Sequence, residues 1–125
     1  MKRFLIAALC TIPLPAGADH LDVIQATLNK DCTLSQYVAI AKDFNETWGK
    51  SHGYLAEIAA AVQSNDLDSV YWIGRTANAE AFGKAWDTWR DELGVPKSVA
   101  AGLQKRFDKC SKNVGRRGYD IYPAR

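Results

Sequence analysis

Side chains able to pass a proton near neutral pH are scarce in this sequence, whose only histidines are His20 and His52. An unperturbed imidazole titrates close to neutrality, so His52, in the turn Lys50-Ser51-His52-Gly53, suits a general base, a metal ligand or a rim group of a cleft. The same turn equally suits a solvated or capping histidine, and that plainer role competes with the chemical one. His20 is expected to fray at the start of the folded chain. No second His or Cys stands at metal-ligand spacing, so no metal site is expected. Haem would need only one axial His and an aromatic pocket, but nothing further in the residues calls for it, and no cofactor is expected. Gly-rich phosphate loops and nucleophile elbows are absent from the sequence. Asp87 and Asp91 fall on one helix face, where paired carboxylates ordinarily serve solvation. Catalytic residues are therefore unknown at this level.

The aromatic residues carry more. Trp48, Trp72, Trp86 and Trp89, with Tyr54, Tyr71 and Phe82, are dense for a chain of 125 residues. Core packing accounts for many of them, because they follow the stripes expected to be buried. A cleft that stacks a small apolar or aromatic ligand is the sharper alternative. Its candidate residues are Tyr54, Trp72 and Trp86 as floor, with His52, Asn45 and Arg75 as polar handles. The competing view is a non-catalytic structural or protein-interaction domain with no ligand.

The elements that would place these side chains can be read from periodicity. Thr33 and Gln36 stand at capping-box spacing, and Leu34, Tyr37, Ala41, Phe44 and Trp48 follow at three- and four-residue steps, predicting a helix from Cys32 to Gly49 with Gly49 as its stop. A second helix is predicted over Asn78–Leu93, ended by Gly94 and Pro96. A third carries Val99, Leu103, Phe107 and Cys110. Ser69–Gly74 is β-branched and aromatic and reads as a strand. Tyr54–Val62 is Ala-rich but alternates like a strand, with Ser64–Asp68 as the hairpin connection. Val23–Leu28 alternates too, although Leu21, Ile24 and Leu28 also fit a helix. Tyr119–Tyr122 reads as a last short strand. The order is βαββαβ with an extra C-terminal helix, an α+β, ferredoxin-like pattern in which an antiparallel sheet carries its helices on one face. An all-helical bundle is the alternative architecture.

The N-terminus has the parts of a cleavable signal peptide: Lys2 and Arg3, an apolar run from Phe4 to Ile12, then Pro13, Pro15 and the small-x-small pattern Ala16-Gly17-Ala18. The run is far shorter than the roughly 20 residues of a spanning helix, so the chain is expected not to span a membrane. Leu9 before Cys10 argues against a lipoprotein signal. Residues 1–18 are thus read as a leader and 19–125 as a single domain, periplasmic or secreted after cleavage near Ala18. The formal charge of +2 lies in Lys2 and Arg3, leaving a neutral mature chain. That neutrality is a split: Asp19–Pro96 holds 6 Lys/Arg against 12 Asp/Glu, and Lys97–Arg125 holds 8 against 2. Such a basic segment ordinarily forms a solvated face, and export removes the setting for nucleic acid, so no nucleic-acid partner is expected. Cys32 and Cys110 remain after cleavage, and two cysteines in an oxidising compartment are expected to pair.

In element order, and in the stretches Lys50-Ser-His-Gly-Tyr54, Val70-Tyr-Trp-Ile-Gly74 and Phe82-Gly-Lys-Ala-Trp86, the chain resembles the dimeric α/β-barrel superfamily. That group includes the antibiotic-biosynthesis-type monooxygenases and the NIPSNAP-like proteins. The resemblance implies a fold rather than an activity, since one fold hosts many functions. The residues themselves imply a homodimer: Tyr54–Val62 and Val70–Gly74 are apolar on both faces, so a sheet with helices on one side needs a partner on the other.

Overall fold

A computed structural model describes residues 19–124. The expected leader, with Cys10, lies outside the described residues. Strand β1 (Asp19–Leu28) leads into helix α1 (Leu34–Phe44), followed by a π-helical turn (Asn45–Gly49) and a short 3-10 turn (Lys50–His52). Strands β2 (Leu55–Ala60) and β3 (Ser69–Thr76) form a hairpin. Helices α2 (Ala79–Leu93) and α3 (Val99–Cys110) then precede strand β4 (Ser111–Ile121). The sheet order is β2-β3-β1-β4, every pair antiparallel. This is the α+β, ferredoxin-like arrangement read from the sequence, with the helices packed on one face.

Alternation decides which side chains meet the helices. On β3, Val70, Trp72, Gly74 and Thr76 are buried while Arg75 is exposed. On β1, Asp22 and Ala26 are buried, whereas Leu21 and Val23 point to the open face and stay partly exposed. The core between sheet and helices is mainly aromatic, and Phe44 lies near its centre. Its ring sits 4.9 Å from Trp72, 5.4 Å from Trp48, 5.5 Å from Tyr54 and 5.5 Å from Trp89 by ring centroids.

Local signals set the helix starts. The Thr33 amide donates to Gln36 Oε1 at 2.8 Å, and the Gln36 amide donates to Thr33 Oγ1 at 3.2 Å, completing the predicted box. Caps of this kind stabilise by about 1 kcal/mol. Asn78 and Ser98 accept from the amides of Ala81 and Ala101 at the starts of α2 and α3.

Four expectations change. The first helix does not stop at Gly49; α1 gives way to the π turn, and the left-handed stop falls at Gly53, with φ of 65°. Gly49 is needed for a different reason, because a Cβ there would lie 2.4 Å from the Tyr54 carbonyl oxygen. Strand β2 is shorter than Tyr54–Val62, as pairing with β3 ends at Ala60. The last strand is far longer than Tyr119–Tyr122. It starts directly after Cys110 and carries the whole glycine-containing run Lys112–Gly118, held by pairing with β1 that a propensity reading does not see. Finally, His20 does not fray: it pairs within β1, and its Nδ1 lies 2.8 Å from Asp120 Oδ1.

Cys32 and Cys110 form the expected disulfide, joining the segment before α1 to the end of α3. The Asn29 amide donates to the Cys110 carbonyl at 2.8 Å, so a backbone bond reinforces the same junction.

Candidate functional site

A cavity of about 150 Å³ opens between the sheet and the helices. Trp48, Trp72, Trp86 and Trp89 all line it, as do Phe44, Tyr54 and Phe107. Its polar wall comes from β1 and β4, where Asp22, Asn113 and Arg116 line the same space.

Asp22 is the centre of that wall. Only 2% of it is exposed, on the helix-facing side of the central strand. Arg116 Nε donates to Oδ1 at 2.7 Å, and Arg116 Nη2 donates to Oδ2 at 2.6 Å. The Tyr54 hydroxyl donates to Oδ2 at 2.8 Å and accepts from Trp72 Nε1 at 2.7 Å. Burial, and then the adjacent Asp22 charge, hold the Tyr54 phenol above its ordinary pKa, which keeps it a protonated donor. The Arg116 guanidinium lies 3.9 Å from the centroid of the Trp86 ring, a cation–π stack that fixes the far side of the ion pair. Charge, hydroxyl and indole thus form one connected network with an aromatic surround.

Gly74 makes room for it. A Cβ at Gly74 would stand 1.8 Å from the Tyr54 hydroxyl oxygen and 2.1 Å from Cζ. On the other side, Trp48 Nε1 donates to Glu92 Oε2 at 2.6 Å, tying the π turn to the end of α2. Tyr37 also faces the cavity, and burial raises its phenol pKa, with the Ser111 side chain partly offsetting this.

Of the residues picked out from sequence, Tyr54, Trp72 and Trp86 come together in this cavity; Asn45, His52 and Arg75 do not line it. Both ends of the Asn45 amide are engaged with Ala56: Nδ2 donates to its carbonyl at 2.9 Å, and Oδ1 accepts from its amide at 2.8 Å. Arg75 points to the opposite face of the sheet, where Nη1 donates to Asp19 Oδ2 at 3.0 Å. His52 stacks on Trp48, with centroids 4.0 Å apart, and its Nδ1 lies 2.8 Å from the Trp48 carbonyl oxygen. Replacing His52 by Ala is therefore expected to cost about 1 kcal/mol, the scale of one hydrogen bond, while leaving ligand retention unchanged. Urea titration beside a retention assay checks this; lost retention at full stability would return His52 to the site.

Asp22 and Arg116 were missed by sequence reasoning. The signal was available in phase: Asp22 shares the strand face of Ile24, Ala26 and Leu28, an acidic residue on an otherwise apolar stripe. Arg116 stands within a basic run that reads as solvated surface. Among the described residues, no group of three or more His, Cys, Asp or Glu could hold a metal ion, and no helix is long and apolar enough to cross a membrane.

No protein-family model matches the chain, and no curated protein sequence matches it. Solved structures do match in shape. SnoaB, a cofactor-independent oxygenase from Streptomyces nogalater, superposes with a TM-score of 0.56 at 8% identity, over 86% of this chain and 96% of its own. A conserved protein of unknown function from Bacteroides thetaiotaomicron gives 0.54 at 12% identity, over 85% of this chain and 100% of its own. The hydroxynitrile lyase of Passiflora edulis gives 0.53 at 13% identity, over 86% and 97%. Two named enzymes with different chemistries thus share this backbone, and what the chain holds in common with them is the ferredoxin-like α+β fold expected from its order of elements.

Proposed function

We propose that this chain is an exported protein that binds a small apolar or aromatic molecule in the cavity between sheet and helices. The observation that carries this reading is the Asp22–Arg116 pair, held against an aromatic cavity by Tyr54 and Trp86. Burying the Asp22 carboxylate costs several kcal/mol before its bonds to Tyr54 and to the partly exposed Arg116 repay it, and an apolar residue of similar volume would serve a core as well or better. A polar wall kept at that cost beside an open cavity favours recognition over packing alone. A purely structural module, the competing view, would fill the space.

Export is supported by the leader pattern and the Cys32–Cys110 bridge, which suits an oxidising compartment. Cleavage near Ala18 would retain all of the described fold, since Asp19 and His20 pair within β1. The homodimer also belongs to the proposal. Leu21, Val23, Tyr71, Ile73 and Leu55 share the face of the sheet turned away from the helices, and a second copy would cover that apolar surface.

Native mass spectrometry of protein purified from its own periplasm tests both parts. The expected spectrum shows a dimer that retains a small organic molecule. A ligand-free dimer would remove the binding proposal, and a stable monomer at micromolar concentration would remove the dimer.

A further inference from the structure

We propose that the ligand is an organic acid, its carboxylate seated on the outer edge of the Arg116 guanidinium and its apolar body among the cavity aromatics; this rests on the cavity being a ligand site. Two charged side chains line the cavity, Asp22 and Arg116. They differ in access: the Asp22 side chain is 3% exposed and that of Arg116 35%. Asp22 is also the more fully committed, receiving two bonds from Arg116 and one from the Tyr54 hydroxyl. The charge left facing a ligand is positive.

A guanidinium carries five N–H groups in a fixed planar fork. Arg116 spends two of them, Nε on Asp22 Oδ1 and Nη2 on Oδ2. Among the described residues the other three, both on Nη1 and the second on Nη2, have no hydrogen-bond partner. By the geometry of the fork they lie on the edges turned away from Asp22. The stacked Trp86 ring, its centroid 3.9 Å from Cζ, and Phe82 at 5.8 Å hold the group from swinging to hide them. Paired on its inner edge and stacked on its face, Arg116 presents a fixed row of donors at the partly open rim of an aromatic cavity.

Chemistry picks the partner. Nη1 and Nη2 each offer an N–H along the end of the fork, and a carboxylate accepts both in a two-bond pair. A neutral amide or alcohol bonds more weakly to the same donors, and an ammonium is repelled by them. A second carboxylate is tolerated despite Asp22, because the guanidinium stands between the two anions. Each is nearer to the cation than to the other anion, so attraction exceeds repulsion. Trp48, Trp72 and Trp89, with Phe44 and Phe107, line the space behind the rim. An apolar body placed there leaves water, a gain that a bare anion such as acetate lacks. Binding therefore needs both parts of the molecule.

The test is a chemical-shift titration of the indole N–H signals of the four tryptophans, all of which line the cavity, and of the Arg116 Nε–H. The probes are phenylacetate, phenylacetamide, phenethylamine and acetate, added to the purified protein near neutral pH. Phenylacetate is expected to bind about tenfold tighter than phenylacetamide, the difference between a charged and a neutral partner for the same donors. It should also bind tighter than phenethylamine or acetate. In Arg116→Lys the ratio of acid to amide should fall towards one, because a single ammonium cannot form the two-bond pair while holding Asp22. Equal binding of acid and amide in the unaltered protein would overturn the carboxylate assignment while leaving the cavity a ligand site. Phenethylamine binding tightest would overturn it in favour of a cation at Asp22, and acetate matching phenylacetate would overturn the apolar body. No shift with any probe would overturn both this inference and the binding proposal beneath it. The unaltered protein decides these outcomes alone, so poor folding of the Arg116→Lys variant would not shelter the inference.

Discussion

Replacing both Cys32 and Cys110 by Ala is expected to cost about 4 kcal/mol and to lower the thermal midpoint on the order of 20 °C. The bridge spans a sequence separation of 78, so opening it frees most of the described chain in the unfolded state. In the chain-entropy account a loop of that length gives a larger stabilisation than a short one, because more disorder is removed from the unfolded ensemble. The native state would lose something too. Cys110 is buried at the α3–β4 junction, and Phe107 and Ser111 on either side of it line the cavity. Paired urea titrations of the unaltered and double-alanine proteins measure the difference. The altered protein should also show a steeper denaturant dependence, since its unfolded chain is more expanded. A loss below about 1 kcal/mol would show that the bridge contributes little.

Gly74→Ala is the second large effect, expected to cost about 3 kcal/mol, at the upper end of overpacking substitutions. The new methyl would occupy the place of the Tyr54 hydroxyl oxygen, 1.8 Å away. Tyr54 cannot yield without giving up its bonds to Asp22 and Trp72, so one methyl displaces a hydrogen-bonded network as well as a ring. Gly83 is the control: a Cβ there meets nothing within 4 Å, and alanine in a helix is favoured over glycine. Gly83→Ala should be neutral or slightly stabilising. Equal behaviour of the two variants in thermal unfolding would mean that Tyr54 is free to move and that the network is loose.

Local periodicity made much of this architecture readable. The Thr33–Gln36 box and the stripe Tyr37, Ala41, Phe44 announced α1 because capping and burial there depend on neighbours a few residues away. The β-branched and aromatic run Ser69–Gly74 announced β3 for the same reason. What escaped was set by distant partners. β4 is a strand because β1 pairs with it, and its sequence of lysine, arginine and glycine carries little β preference of its own. The candidate site divides along the same line. Tyr54, Trp72 and Trp86 were legible as large aromatics on buried phases. The Asp22–Arg116 pair joins residues 94 positions apart, and no local rule brings them together. Asn45, His52 and Arg75 stand near the aromatics in sequence, but the π turn and the strand phase direct them elsewhere.

The Asn45 amide has a consequence for self-assembly. Strand β2 is an outer strand of the sheet, and an outer strand ordinarily offers its free backbone groups as a template for another chain. Here Asn45 occupies those groups at Ala56, donating to the carbonyl and accepting from the amide as an incoming strand would. At the other border, β4 is irregular opposite Gln25 and Ala26 and carries Lys112 and Arg117, features that discourage continued pairing. Growth by adding strands is obstructed at Ala56 on one border and opposed at the other. A single side chain from a helical turn thus stands where an added strand would begin its ladder on β2.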